Sequence, residues 1–407
     1  MVRRKSNRAK HKRPDIATKG LSSERMSRWR RIAPHSQPIF QTSVYNYPDL
    51  ETFDDYYNGM IPDGYIYSRY GLPNSTELAR DVAKLEHGEA GVVCSSGMSA
   101  LLVALLANLK QGDHVVASSD IYGGTMILLS QELPRFGITS TFVDAGNLRE
   151  LEVAAKSGKT KMIVVETISN PTLKVCDIGK IAKIAVRLNA SLIVDNTFAT
   201  PFVALPLELG ADIVMHSGTK FLGGHHDLTL GVLCGTEDAM KRAGEFSTRA
   251  GTTAGPFDSW LARRSISTWK ARVELSSKNA MRLAQFLEDQ QERVAKVYYS
   301  GLPSHPSHKL ARRMFLNGNF GGMISFDLKG GLSSASNFVK ALSHANIAPS
   351  LGGVNTTISH PGKTSHRHIT DEEKMKIGIT DAMIRVSVGI EDYEIIEEDF
   401  AKALSAI

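Results

Sequence analysis

The stretch Asp212-Ile-Val-Met-His-Ser-Gly-Thr-Lys-Phe-Leu-Gly-Gly-His-His-Asp227 sets the terms for the rest of the chain. Its apolar run at 213–215 reads as a buried strand that stops at small and hydroxylated residues, ahead of two glycines. A single lysine, Lys220, is thereby delivered to a strand end. Two readings are open for it. One is a Schiff-base nucleophile, with Ser217 and Thr219 beside it to hydrogen-bond a phosphate. The other is an ordinary solvated lysine after a strand, the default for a lone Thr-Lys pair.

Working outward, the same order of apolar strand, polar turn and amphipathic helix repeats. Strands are expected at Ala90–Cys94, 114–117, Thr139–Val143, 162–166, 192–194 and 231–234. Helices are expected between them at 76–86, 100–109, 125–136, Leu148–Ala155 and Ile178–Leu188. Near-continuous Val and Ile strands separated by helices predict an α/β fold, with a mostly parallel central sheet and helices on both faces. Ligands of such sheets sit beyond the carboxyl ends of the strands, where Ser96, Tyr122, Asn170, Asp195 and Lys220 fall. Ser95-Ser-Gly-Met-Ser99, between strand and helix, suits an anion at a helix N-terminus and equally a plain N-cap.

A helical stretch at 258–292, interrupted around 268–273, leads to a smaller C-terminal α/β layer. Its strands are expected at 294–299, 322–328, 346–350 and 384–388, and its helices at 334–343, 371–377 and 394–404. The expected organisation is a basic N-terminal arm and extended segment at 1–75, a large α/β domain at 76–265 and a C-terminal α/β domain at 266–407.

At 407 residues, 42% hydrophobic and 22% charged, the composition is that of a soluble globular protein. No apolar run approaches the ~20 residues that cross a bilayer, and the N-terminus lacks the apolar core of a secretory signal. A cytoplasmic location is expected. Cys94, Cys176 and Cys234 lie far apart beside apolar stretches and read as buried free thiols. The net charge of +6 is uneven: residues 1–31 hold twelve Lys and Arg against Asp15 and Glu24, a net of +10 that leaves −4 for the rest. With one aromatic, Trp29, this arm has no stacking pattern for nucleic acid, so a solvated tail or an arm on a neighbouring subunit is preferred.

Eight short motifs then appear in a fixed order. They are Tyr67-Ser-Arg69, Ser96-Gly-Met98, Tyr122-Gly-Gly124, residues 166–171, Asp195-Asn-Thr197, residues 216–224, Ser350-Leu-Gly-Gly353 and residues 385–392. From about residue 37 onward the chain resembles the pyridoxal-phosphate enzymes of cysteine and methionine metabolism, which include cystathionine γ-synthase, the cystathionine lyases and homoserine-ester sulfhydrylases. The resemblance implies a fold-type I enzyme with pyridoxal 5'-phosphate as cofactor and an extended N-terminal arm. It implies that Lys220 binds the cofactor aldehyde and moves protons, and that Asp195 pairs with the pyridine nitrogen. Gly97, Met98, Ser96, Ser217 and Thr219 would hold the phosphate, joined across a subunit boundary by Tyr67 and Arg69. Tyr122 would stack on the ring and assist at the leaving group, Asn170 would lie near the phenolic oxygen, and Arg385 with Ser350 would grip the substrate α-carboxylate. A homo-oligomer follows, at least a dimer and as expected a tetramer, acting on a small amino acid without membrane or nucleic acid. His225, His226 and Asp227 are too close in sequence to converge on one ion, so no metal is expected.

The expected reaction is γ-replacement or γ-elimination on a homoserine ester or cystathionine-like amino acid. O-acetylhomoserine sulfhydrylase or cystathionine β-lyase activity is the alternative, and a catalytically silent cofactor-binding protein with a polyanion-binding arm is a reading of a different class. Three positions depart from the family pattern. Ile66 stands where γ-lyases tend to carry an acid, Leu72 where Asn is frequent, and Asn355 where glutamate is usual. A neutral amide at 355 would bind a distal ammonium group more weakly than a carboxylate would.

Overall fold

Near-continuous burial along short strands decides the layering of this computed structural model, which describes residues 34–407 apart from 157, 368 and 369. The basic arm at 1–31 lies outside the described residues. The chain divides after Pro38, and the account below concerns Ile39–Ile407.

Seven strands form the large sheet: β1 (Ala90–Cys94), β2 (His114–Ser118), β3 (Thr139–Val143), β4 (Thr160–Glu166), β5 (Ser191–Asp195), β6 (Ile213–Ser217) and β7 (Gly231–Gly235). Their order is β1-β7-β6-β5-β4-β2-β3, and all neighbours are parallel except β7, which runs against both β1 and β6. Val115, Met162, Ile193, Ile213 and Met215 pack on one face with helices Gly97–Leu106 and Glu237–Ala250. Val116, Ile163, Val165, Leu192 and Val194 pack on the other with helices Leu148–Ala155 and Ile178–Leu188. Side chains alternate across a strand, so strands apolar at every position must be covered on both sides. Ser96, Asn147, Asp177 and Thr236 each cap a helix by accepting the N–H three residues on.

A second sheet, of order β10-β11-β12-β9-β8, contains β8 (Val294–Tyr298), β9 (Met323–Leu328), β10 (Asn346–Ile347), β11 (Thr357–Ser359) and β12 (Met383–Ser387). Of the stretch expected at 346–350 only the first two residues pair, and β11 was not expected, because three residues carry no readable period. Helix Glu237–Ala250 was also not expected, since its sequence is largely polar. The helix expected at 125–136 is an α-helical turn, a π-turn and a 3₁₀ turn in succession, and Gly137 follows in the left-handed region.

The interruption expected at 268–273 is overturned: Pro256–Asp289 is one helix of 34 residues, running through the expected boundary at 265. Thr268, Trp269 and Val273 are mediocre helix formers. Trp269 and Val273 are buried, however, and Arg272 donates to the carbonyls of Phe221, Leu222 and Ser265 at 2.9–3.2 Å. Tertiary packing outweighs propensity here.

Candidate active site

Register aligns the strand tips that matter. Glu166 at the end of β4 stands opposite Asp195 at the end of β5, and Asp195 opposite Met215 on β6. Beyond these tips lies a cavity of about 580 Å³. Ten of the thirteen residues expected at the site line it: Ser96, Gly97, Met98, Tyr122, Asn170, Asp195, Ser217, Thr219, Lys220 and Arg385. Ser350 lies between the lining residues Pro349 and Leu351, and its Oγ accepts a 2.9 Å hydrogen bond from Lys220 Nζ.

Tyr67 and Arg69 are not in the cavity. Tyr67 is exposed, and Arg69 donates to the Thr248 carbonyl at 3.0 Å while its guanidinium lies 4.9 Å from the Tyr70 ring centre. Asn355 is also exposed and does not line the cavity.

Lys220 follows β6 in a tight turn, closed by its own N–H to the Ser217 carbonyl at 3.1 Å and by the Gly224 N–H to the Lys220 carbonyl at 2.7 Å. The 350–353 turn packs directly on it. Gly352 has φ +78°, and a Cβ there would stand 2.5 Å from the Phe221 nitrogen. Glycine is required on both counts. Burial, and then the nearby Arg385, hold the Lys220 amine below the ordinary lysine value. That favours the neutral, nucleophilic form.

Asp195 accepts the Thr197 N–H at 2.9 Å, and Thr197 Oγ1 accepts the Ser217 N–H at 2.8 Å, joining the tips of β5 and β6. Behind them Glu86 Oε1 lies 2.6 Å from His216 Nε2 and accepts from Asn196 Nδ2 at 2.7 Å, all three residues fully buried. Burial pushes the Asp195 carboxyl above its ordinary value; the Thr197 contacts and His216 oppose this. Burial first and the Asp195 charge second push Glu166 well above the usual carboxyl range, against bonds from the Tyr122 and Asn170 N–H groups.

Glu166 Oε1 accepts the Tyr122 N–H at 2.7 Å and so fixes the loop that carries the tyrosine. The half-exposed ring of Tyr122 passes so close to Gly124 that a Cβ there would meet its Cε1 at 2.5 Å. Arg385, on β12, is buried; it donates to Asn170 Oδ1 at 3.0 Å and reaches the Ser350 carbonyl at 3.5 Å. Burial lowers its ordinarily very high value to about 10.

The Glu166 side chain and the cluster Lys363, Thr364, Ser365 and Arg367 also line the cavity, and site reasoning from the sequence did not include them. Glu166 could have been found, since it opens a quoted motif. The 363–367 residues sit in a turn without periodicity, and nothing in their spacing marks them.

The family model for Cys/Met metabolism PLP-dependent enzymes matches residues 18–405. The chain is 43% identical over 376 residues to a cystathionine gamma-lyase of Bacillus subtilis, covering 91% of this chain and 94% of the relative. It is 39% identical over 373 residues to an O-succinylhomoserine sulfhydrylase of Pseudomonas aeruginosa, covering 92% and 91%. Among solved structures, a cystathionine gamma synthase from Xanthomonas oryzae in complex with aminoacrylate and cysteine superposes with a TM-score of 0.86 at 34% identity, covering 91% and 93%.

Proposed function

The chain belongs to the Cys/Met metabolism PLP-dependent enzymes, a fold-type I family, and on that premise we propose that it catalyses γ-replacement or γ-elimination on a homoserine ester or a cystathionine-like amino acid. The observation that carries the reading is a single cavity lined by a half-buried lysine, a half-buried carboxylate at a strand tip and a buried arginine.

The residues fit pyridoxal phosphate. Ser96 Oγ caps the Ser99 N–H, so the Gly97 and Met98 N–H groups at the helix start are not spent on the cap. A Cβ at Gly97 would meet Ser217 Cβ at 2.8 Å, so glycine allows the helix start and the Ser217 hydroxyl to share one anion. Among the described residues Asp195 has no cationic salt-bridge partner, and a protonated pyridine nitrogen would supply one. When bound, the cofactor supplies an electron-withdrawing ring that stabilises negative charge at the neighbouring substrate carbon.

The chain supplies the rest. Arg385, held by Asn170, receives the substrate α-carboxylate on its planar fork. The Lys220 amine, oriented by Ser350, would take and return protons at the substrate carbons. Tyr122, anchored through Glu166, would lie beside the cofactor and serve the leaving group. The large sheet carries the cofactor, and the C-terminal sheet closes the substrate side.

Tyr67 and Arg69 serve the site of a second copy. The exposure of Val44, Leu50, Tyr57, Met60, Tyr67 and Tyr70 in one segment supports burial of that segment in a homo-oligomer, with a tetramer as the proposed state. Co-expressing Arg69→Ala with Lys220→Ala tests this: hybrid assemblies regain activity if Arg69 serves a neighbour, and stay inactive if it does not. No helix among the described residues is long and apolar enough to cross a membrane. Three free cysteines support a reducing, cytoplasmic location.

The function is tested by incubating holoenzyme with cystathionine, O-acetyl-homoserine and O-succinyl-homoserine, each with and without cysteine, and identifying products by mass. A new Cγ–S bond, or a four-carbon 2-oxo acid with ammonia, is expected. Pyruvate from cystathionine as the sole product refutes γ-chemistry in favour of β-cleavage.

A further inference from the structure

Four cations line the cavity, Lys220, Lys363, Arg367 and Arg385, against two acids, Glu166 and Asp195. Both acids lie at strand tips on the cavity floor, and Lys220 and Arg385 already have tasks there. Lys363 and Arg367 are surplus to that set. Among the described residues neither is paired with a carboxylate.

The turn that carries them is well anchored. The Lys363 N–H and the Thr364 hydroxyl both donate to the His360 carbonyl, at 3.0 and 2.9 Å, and the Thr364 and His366 N–H groups donate to the Pro361 carbonyl at 3.2 and 3.0 Å. His366 is buried beneath the turn, with its Nδ1 2.9 Å from Ser365 Oγ. Burial, then the charges of Arg385 and Lys374, hold its imidazole down to about 4, so it is neutral near pH 7. On the other side the turn rests on the Tyr122 loop: a Cβ on Gly123 would meet the Ser365 carbonyl oxygen at 2.4 Å. The turn therefore places these two cations, both exposed, at the side of the cavity where Tyr122 stands.

We propose that Lys363 and Arg367 form a subsite for a second anionic group at the leaving-group end of the substrate, so that the enzyme selects homoserine esters with a charged arm over neutral ones. The proposal rests on the γ-chemistry reading above and specifies its substrate class. In γ-replacement the Cγ–O bond breaks with its electron pair left on oxygen, while the incoming thiol forms the Cγ–S bond and gives up its proton to the Lys220 amine. From a succinyl ester, succinate then departs as a dianion. Charge on that arm rises from one to two, so cations beside it favour the transition state over the bound substrate.

The test uses cofactor-loaded wild type, Lys363→Ala, Arg367→Ala and the double variant, each checked for an intact cofactor absorption spectrum. kcat/KM is measured with O-succinyl-, O-phospho- and O-acetyl-L-homoserine at one fixed thiol concentration. Wild type is expected to favour at least one charged ester over the acetyl ester by tenfold or more, and each variant to cut that ratio at least fivefold. A succinyl preference identifies a distal carboxylate as the ligand; a phosphoryl preference identifies an anion at the ester oxygen. An acetyl preference in wild type, or a ratio unchanged in the double variant, overturns the proposal. Calorimetric titration with succinate reads the subsite without turnover. Wild type is expected to bind it at least tenfold more tightly than the double variant, and equal affinity overturns the proposal. If no amino acid is turned over but succinate binding still depends on both residues, the γ-chemistry reading has failed and the anion subsite has not.

Discussion

Arg385 offers a sharp test, because its cost to the fold and its value to catalysis point in opposite directions. Its guanidinium is buried and bonded to a neutral amide and, at 3.5 Å, to a carbonyl; among the described residues no carboxylate pairs with it. A cation so placed is desolvated without compensation until an anion arrives. Two parallel charge-assisted hydrogen bonds to a substrate carboxylate are together worth about 3–5 kcal/mol, and each ~1.4 kcal/mol is a factor of ten. Arg385→Leu is therefore expected to lower kcat/KM by roughly 10²- to 10³-fold through a raised KM. The melting temperature of the cofactor-free protein is expected to hold or rise, since a buried unpaired charge has been removed. Arg385→Lys keeps the charge without the fork and should fall between. Steady-state kinetics and thermal melts of the three proteins decide the matter. A loss below tenfold in Arg385→Leu, or a large fall in melting temperature with KM unaltered, would show that this arginine is structural.

Lys220→Ala should still take up pyridoxal phosphate through the phosphate contacts but lose turnover by several orders of magnitude; activity near wild type would refute its role. Gly352→Ala must adopt φ +78° and place a Cβ 2.5 Å from the Phe221 nitrogen. A left-handed non-glycine residue costs about 1–2 kcal/mol and overpacking about 1–3 kcal/mol, so denaturant melts should show a loss of a few kcal/mol, and an unaffected midpoint would contradict the packing described. Glu166 titrates above its ordinary value in the fold, so the folded protein binds more protons than the unfolded chain over that interval. Its contribution to stability is present below the unfolded value of about 4.3 and is lost as pH rises through the raised folded value. Glu166→Gln should make the melting temperature of the cofactor-free protein fall less steeply with rising pH above about 4.3; parallel curves for the two proteins would rule this out.

Much of this architecture is legible along the chain because its signals are local. Val115, Val116 and Ile163 to Val165 announce strands buried on two faces, and the strands they predict are observed within two residues of the expected ends. Ser96, Asn170, Asp195 and Lys220 could be picked out because each follows an apolar run, and a parallel strand must deliver its last residue to one common edge. Other features were settled by contacts between residues far apart in the chain. The unbroken helix Pro256–Asp289 depends on Trp269 and Val273 being buried and on Arg272 reaching the carbonyls after Lys220, none of which its own propensity records. The protonation bias of Glu166 arises first from its burial and then from register with Asp195 on the neighbouring strand. Lys363 and Arg367 face the cavity only because their turn is seated on Gly123, some 240 positions earlier. Sequence determines which residues end strands, since chain direction and side-chain alternation are properties of neighbours along the chain. Which charges then share a desolvated space is decided by packing, because desolvation and Coulomb energy depend on distance in the folded protein and not on separation along the chain.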